Sequence, residues 1–142
     1  MIIYEKLTVN HYLDIKPNAH LTREFNDTTI EFVNMLVKLD NQWAGLNENG
    51  DVVVIYGVIE KWRGSAIITS IMSELTGKYM LSLVREAIKT IEELPYTRLE
   101  AQVVADYKEG CRLMEVLGFE KGGLLRNYDQ YGRDCYIYSR VV

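Results

Sequence analysis

Apolar and polar positions along this chain change period repeatedly, and each change marks an element. Ile2, Tyr4 and Leu7 open a short strand. Thr8 is placed to cap a first helix through Val9, Tyr12, Leu13 and Ile15, and Pro17 ends it. Asp27 or Thr28 caps the next helix, where Ile30, Val33, Leu36 and Val37 form a stripe widened by Phe32, Met35 and Leu39. Trp43 to Leu46, Asn47 to Gly50 and Val52 to Tyr56 read as a hairpin, with Asn49-Gly50 as its turn signal because both residues tolerate positive φ. The run Val52 to Ile59 is nearly all apolar, the pattern of a central strand covered on both faces. Glu60 to Gly64 is a polar turn, and Ala66 to Met72 is a further strand. Met80, Leu83, Val84, Ala87, Ile88 and Ile91 then recur at helical spacing, and Pro95 ends that helix.

The last third is the most informative stretch. Leu99, Ala101 and Val103 alternate with Glu100 and Gln102, predicting a strand over Arg98–Val104 with one buried face. Leu113, Met114, Val116 and Leu117 crowd one side of a short helix after Asp106, and Gly118 fits the left-handed position just beyond it. Phe119 starts another strand, and Gly132 closes a hairpin into Tyr136-Ile137-Tyr138. The predicted order is β-α-α-β-β-β-α-β-α-β-β. It implies a mixed α/β (α+β) fold, a central mixed sheet with helices on both faces, in one domain spanning residues 1–142.

Arg112-Leu113 to Leu117-Gly118-Phe119-Glu120, then Gly123-Leu124-Leu125-Arg126 and Gly132-Arg133-Asp134, carry a resemblance. The segment resembles the C-terminal half of the GNAT superfamily of N-acetyltransferases, near its ribosomal-protein acetyltransferase branch. The resemblance is fairly specific over about 45 residues and topological before Arg98. It implies acetyl transfer from acetyl-CoA to an amine of a protein or small molecule. A second reading is a GNAT-like domain that has lost catalysis and serves a structural or binding role, as in some phage-type proteins.

In that family the cofactor's pyrophosphate lies on backbone N–H groups between the fourth strand and the long helix. The general reason is that helix N-termini offer unpaired donors and a positive dipole end. The usual loop is Arg or Gln, two residues, Gly, one residue, Gly or Ala. Matching the helical stripe puts Leu75, Lys78 and Met80 at those three places, so the motif is absent as written. The resemblance therefore assigns acetyl-CoA to Ile71, Met72, Ser73, Thr76, Gly77, Lys78 and Tyr79, with the oxyanion N–H from Ile71 or Met72. The alternative is that Thr76 caps the helix and Gly77 eases the turn. The tyrosine that protonates the departing thiolate in the family is replaced by Met114; Tyr107, one turn or more earlier, could supply a hydroxyl if the helix entry is rotated, and the alternative is that Tyr107 shields the end of the sheet. Glu60, Glu74 and Glu100 are the candidate carboxylates and none stands out by pattern; each reads equally as a solvated surface charge, and Glu100 is taken as the candidate catalytic group.

Composition narrows little beyond this. At 142 residues, with 48% hydrophobic and 25% charged, the chain is an ordinary globular one. A net charge of −4 gives no support for broad nucleic-acid or membrane binding. Cys111 and Cys135 suggest buried small hydrophobes, and His11 and His20 show no metal-ligand spacing. Met1-Ile-Ile-Tyr-Glu-Lys lacks the pattern of a signal peptide, so a cytoplasmic location is expected. Whether the chain is a homodimer stays open.

Overall fold

The apolar run that begins at Val52 becomes the longest strand of the protein. In the computed structural model, which describes all residues from Met1 to Val142, the elements follow in the order β1 (Ile3–Lys6), α1 (Val9–Asp14), α2 (Thr22–Asp27), α3 (Ile30–Leu36), β2 (Gln42–Leu46), β3 (Val52–Trp62), β4 (Ser65–Met72), α4 (Thr76–Glu93), β5 (Arg98–Val104), α5 (Lys108–Val116), β6 (Glu120–Leu125) and β7 (Cys135–Val141). The strands form one seven-stranded sheet in the order β1-β2-β3-β4-β5-β7-β6. The sheet is mixed: β4 and β5 run parallel, while β1–β2, β2–β3, β5–β7 and β6–β7 are antiparallel. The mixed α/β expectation therefore holds. Two compact units make up the chain, residues 1–59 with 69–86 and residues 60–68 with 87–142.

In the first unit β3 is buried on both faces, as its composition predicts. Val52 and Ile55 join Leu7, Tyr12, Val33 and Leu36 in one cluster, which brings in α1 and α3. Val53 and Val54 join Ile2 and Leu83 in a second, which brings in α4. Strict alternation would put Val52 and Val54 on one face. A register shift removes that parity: Gly45 pairs with Val54 and Leu46 with Val52, so Val53 is an extra residue in β3.

The helix order differs from expectation at one place. Between α1 and α3 lies the six-residue α2, whose sequence Thr-Arg-Glu-Phe-Asn-Asp carries a single large apolar side chain. That residue, Phe25, stacks on Tyr12 with ring centroids 5.0 Å apart. One anchoring aromatic has no periodicity to detect. The cap of α3 is Thr29, whose side chain accepts from the Phe32 N–H, and not Asp27 or Thr28. Thr8 does cap α1, and His11 completes a reciprocal capping box with it.

In the second unit β7 lies between β5 and β6, and α5 covers their centre. Tyr138 of β7 is fully buried, opposite Ala101 on one side and Lys121 on the other. Its hydroxyl has no hydrogen-bond partner, and burial pushes its pKa up, with the Cys111 thiol adding to the shift. Cys111 and Met114 are the buried residues of α5.

The end of α5 is closed by backbone bonds. Gly118 N–H donates to Glu115 O at 3.0 Å and Phe119 N–H to Met114 O at 3.0 Å, the paired bonds of a Schellman ending. Gly118 has φ +90°, with open space where a side chain would start. Backbone conformation alone therefore demands glycine. Gly118→Val should destabilise the protein by about 1–3 kcal/mol, the scale of strain at such a position. Urea denaturation would show it as a lower midpoint at constant slope; an unchanged midpoint would remove the argument.

Candidate functional site

The first group of candidate residues lies where β4 runs into α4. Ser73 organises this reversal. Its backbone N–H donates to Val53 O at 3.0 Å, its Oγ accepts from Leu75 N–H at 3.1 Å, and its carbonyl accepts from the Thr76 hydroxyl at 3.1 Å. Thr76 thus donates backwards to Ser73 rather than capping the helix, and Gly77 lies inside α4 at ordinary φ rather than in a turn. Gly77 and Lys78 are exposed, and their N–H groups belong to the first helical turn, which has no acceptor within the helix. Tyr79 is engaged elsewhere: it packs against the cluster containing Val53, Val54 and Leu83, and its hydroxyl donates to Glu48.

Strand alternation separates the two oxyanion candidates. Ser73 bonds toward β3, so the backbone groups of Ile71 face the same way and those of Met72 face the other. On that side Met72 O accepts from Asn18 N–H at 2.9 Å, and Glu74 N–H donates to Lys16 O at 3.2 Å. Pro17 sits between as an isolated bridge to Ser73. Lys16–Asn18 is therefore a short extended segment bridged to the end of β4. Proline is tolerated there because its missing N–H falls at the position that makes no bond. A cavity of about 250 Å³ adjoins it, lined among others by Asp14, Lys16, Asp51, Ser73 and Glu74. Three carboxylates around one ammonium make this cavity unfavourable for phosphate.

The second group belongs to the other unit. Glu100 is buried, yet both its oxygens are taken: Arg98 Nε donates to Oε2 at 2.7 Å and Lys61 Nζ to Oε1 at 3.0 Å. The hydrogen bonds from Arg98 and then Lys61 hold its carboxyl below the usual glutamate range. A carboxylate held ionised by two cations is a weak base and a well-fixed structural pair. Glu60 and Glu74 are exposed. β4 and β5 are paired from Ser65↔Arg98 to Ile67↔Glu100, so Glu100 marks the end of that ladder. Tyr107 is the N-cap residue of α5, half-buried, and Met114 two turns further on is in the core.

Near the end of β5, where Ala105 N–H donates to Asp134 O at 2.9 Å, the β6–β7 connection is held by Asp129. Its Oδ1 accepts from Tyr131 N–H at 2.9 Å and Arg133 N–H at 2.8 Å, and Gly132 has φ +74°. The end of β5 and this connection form an open cleft of about 270 Å³ lined by Val104, Ala105, Asp106, Gly132, Arg133 and Asp134.

Three features escaped the sequence reading. The Lys16–Asn18 segment has no alternation to betray it. The Lys61–Glu100–Arg98 group had a partial signal, since Arg98 and Glu100 are two apart on a strand and share a face. Gly110, next to Tyr107 in space, had one as well: a glycine three residues after an aromatic at a helix start. No His, Cys, Asp or Glu side chains gather as a metal site, and no helix is long and apolar enough to cross a membrane.

No protein-family model matches the sequence, and no curated protein matches it. Solved structures do match in fold. Ard1 from Thermoplasma volcanium superposes with a TM-score of 0.80 at 16% identity, covering 99% of this chain and 97% of that one. A ribosomal-protein-S5-alanine acetyltransferase from Vibrio fischeri gives 0.73 at 15% identity, over 99% and 92%. Arabidopsis thaliana NAA60 in complex with acetyl-CoA gives 0.71 at 13% identity, over 100% of both chains. The fold is that of the GNAT acetyltransferases.

Glu100→Gln should lower stability by about 1–3 kcal/mol, because it leaves two cations without a charge partner. The native carboxyl has a depressed pKa, so its stabilisation is complete above the ordinary value of 4.5 and is lost as pH falls through the lower native value. The melting-temperature gap between wild type and Glu100→Gln should therefore narrow below pH 4.5. A gap independent of pH would show that the charge is not what Glu100 supplies.

Proposed function

We propose that the protein is an acetyl-CoA-dependent N-acetyltransferase acting on an amine of a protein or small molecule. The observation that carries this reading is the start of α4 within a GNAT fold. An eighteen-residue helix begins directly after β4 with Gly77 and Lys78 exposed in its first turn. Two backbone donors, a helix dipole and one ammonium suit a pyrophosphate. Space for it is open, since nothing lies within 4 Å of a Cβ built on Gly77. Leu75 adds nothing to phosphate binding, so the affinity rests on fewer contacts than the usual loop provides. That the same fold holds acetyl-CoA in NAA60 supports the choice of co-substrate.

Acetyl transfer needs a donor for the oxyanion and a proton for the departing sulfur. Of the two oxyanion candidates Ile71 is turned toward β3, and Met72 faces the edge along which Lys16–Asn18 lies. Tyr107 is the proton donor in this reading, and Glu100 is left to its two cations. The carboxylates of Asp106 and Asp134 at the cleft beyond the end of β5, with Arg133 beside them, suit an amine acceptor. A cytoplasmic location fits a reaction that consumes acetyl-CoA.

Acetyl-CoA at a hundred times its dissociation constant should stabilise the protein by about 2.7 kcal/mol, read as a rise in melting temperature. Lys78→Glu should weaken binding about tenfold, roughly 1.4 kcal/mol, in calorimetric titration. No thermal shift at millimolar acetyl-CoA would favour a structural role for the domain. Tyr107→Phe keeps the ring and removes only the hydroxyl. It should lower kcat by about 10²–10⁴-fold with acetyl-CoA affinity intact. A full-rate variant would hand the proton to solvent.

A further inference from the structure

Asn47 holds the turn between β2 and β3. Its Oδ1 accepts from Asn49 N–H and Asp51 N–H, both at 3.0 Å, and its carbonyl accepts from Gly50 N–H at 3.0 Å. Glu48 of the same turn accepts from the Tyr79 hydroxyl in the first turns of α4 at 3.1 Å. Gly50 and Asp51 line the cavity beside Ser73 and Glu74. Within this frame Asn49 stands apart. Asn47 is buried with its amide engaged, whereas Asn49 is exposed and its side-chain amide makes no hydrogen bond. The nitrogen of a following residue can close a succinimide ring on an asparagine side-chain carbonyl, and a side chain on that residue hinders the approach. Gly50 has none, takes φ +81°, and has nothing within 4 Å of a Cβ built on it. No other asparagine of the chain precedes glycine.

We propose that Asn49 is a site of spontaneous covalent modification, converting to isoaspartate and loosening the β2–β3 turn beside the start of α4. The inference is independent of the acetyltransferase reading. In the first step the Gly50 nitrogen gives its proton to hydroxide and bonds to Asn49 Cγ. The bond from Cγ to the side-chain nitrogen breaks, and that nitrogen keeps the electron pair, takes a proton from water and leaves as ammonia. Water then opens the succinimide at either carbonyl. One opening gives aspartate; the other routes the main chain through the side-chain carbonyl and inserts a methylene into the backbone. The net change is a water gained and an ammonia lost, with no oxidant. A longer backbone cannot keep Asn49 N–H and Asp51 N–H on the same Asn47 oxygen, and it sets a new carboxylate next to Glu48 and Asp51. Gly50 N–H must first leave the Asn47 carbonyl, so each conversion waits for the turn to open.

The test is timed incubation of the purified full chain at physiological temperature, read by peptide mapping in a mass spectrometer and by isoaspartate-specific carboxyl methylation. The peptide containing Asn49 should gain the mass difference between amide and acid and carry the isoaspartate, faster at alkaline than at mildly acidic pH. Unfolding in urea frees Gly50 N–H and should speed the conversion about tenfold or more. Asn49→Gln keeps an exposed amide but must close a larger ring, so it should show no conversion at this position. Melting temperature reads the consequence. Isoaspartyl protein separated from the unmodified chain should melt below wild type, while Asn49→Asp, which adds the charge without the methylene, should melt close to it. Asn49 left intact in the folded protein after the urea-unfolded chain has converted overturns the proposal. So does conversion spread equally over the other asparagines, or an isoaspartyl protein that melts with the wild type.

Discussion

The two-sided burial of β3 is the constraint on which the first unit depends. Val52, Val53, Val54 and Ile55 are each almost inaccessible to water. Burying four such side chains is worth about 6–12 kcal/mol as an upper estimate. That is the size of a whole domain's net stability. It requires helices above and below the strand, and the bulge opposite Gly45 and Leu46 divides the four residues evenly between the two sides. The consequence for the candidate site is direct. Ser73 bonds to Val53, so the point where β4 stops and α4 starts is pinned to the best-buried residue of the strand.

Legibility followed the same physics. Elements that bury a periodic face, such as β3, α4 and β5, could be read from spacing alone. The hairpin turn was legible because Gly50 takes φ +81°, although Asn49 stays at negative φ and only one of the two residues is left-handed. Gly118 was legible for the same reason. The failures are elements without a periodic face: α2 rests on one aromatic pair, and Lys16–Asn18 on two backbone hydrogen bonds. Backbone pairing leaves no trace in side-chain pattern, so an extended segment of three residues containing proline is invisible until its partner is known.

The candidate chemistry was half legible. Residue identity pointed to the Ser73–Lys78 stretch ahead of the long helix, which begins at Thr76, yet identity does not reveal pairing, and pairing decides what a carboxylate can do. Glu100 looked like any other glutamate in a strand. Its neighbours are Arg98 on the same strand and Lys61, thirty-nine positions away in sequence. Only the fold brings that lysine in, and with it the carboxyl becomes an anchor for the end of the β4–β5 ladder.

Proton supply shows how burial selects among hydroxyls that composition treats as equals. Met114 of α5 is buried in the core and carries no ionisable hydrogen, so that helix position offers no proton. Tyr138 is close to the same helix, but its hydroxyl is sealed from water and burial raises its pKa, which makes it reluctant to release a proton. A donor that must turn over also has to be reprotonated after each cycle, which favours contact with solvent. Tyr107 sits two helical turns from Met114, on nearly the same angular face, but at the N-cap and half-exposed. At the helix end a ring can lie back over the first turn only if that turn is bare, and Gly110 makes it bare. The bare first turn lets the Tyr107 ring lie along its own helix, near the end of β5 and half-exposed.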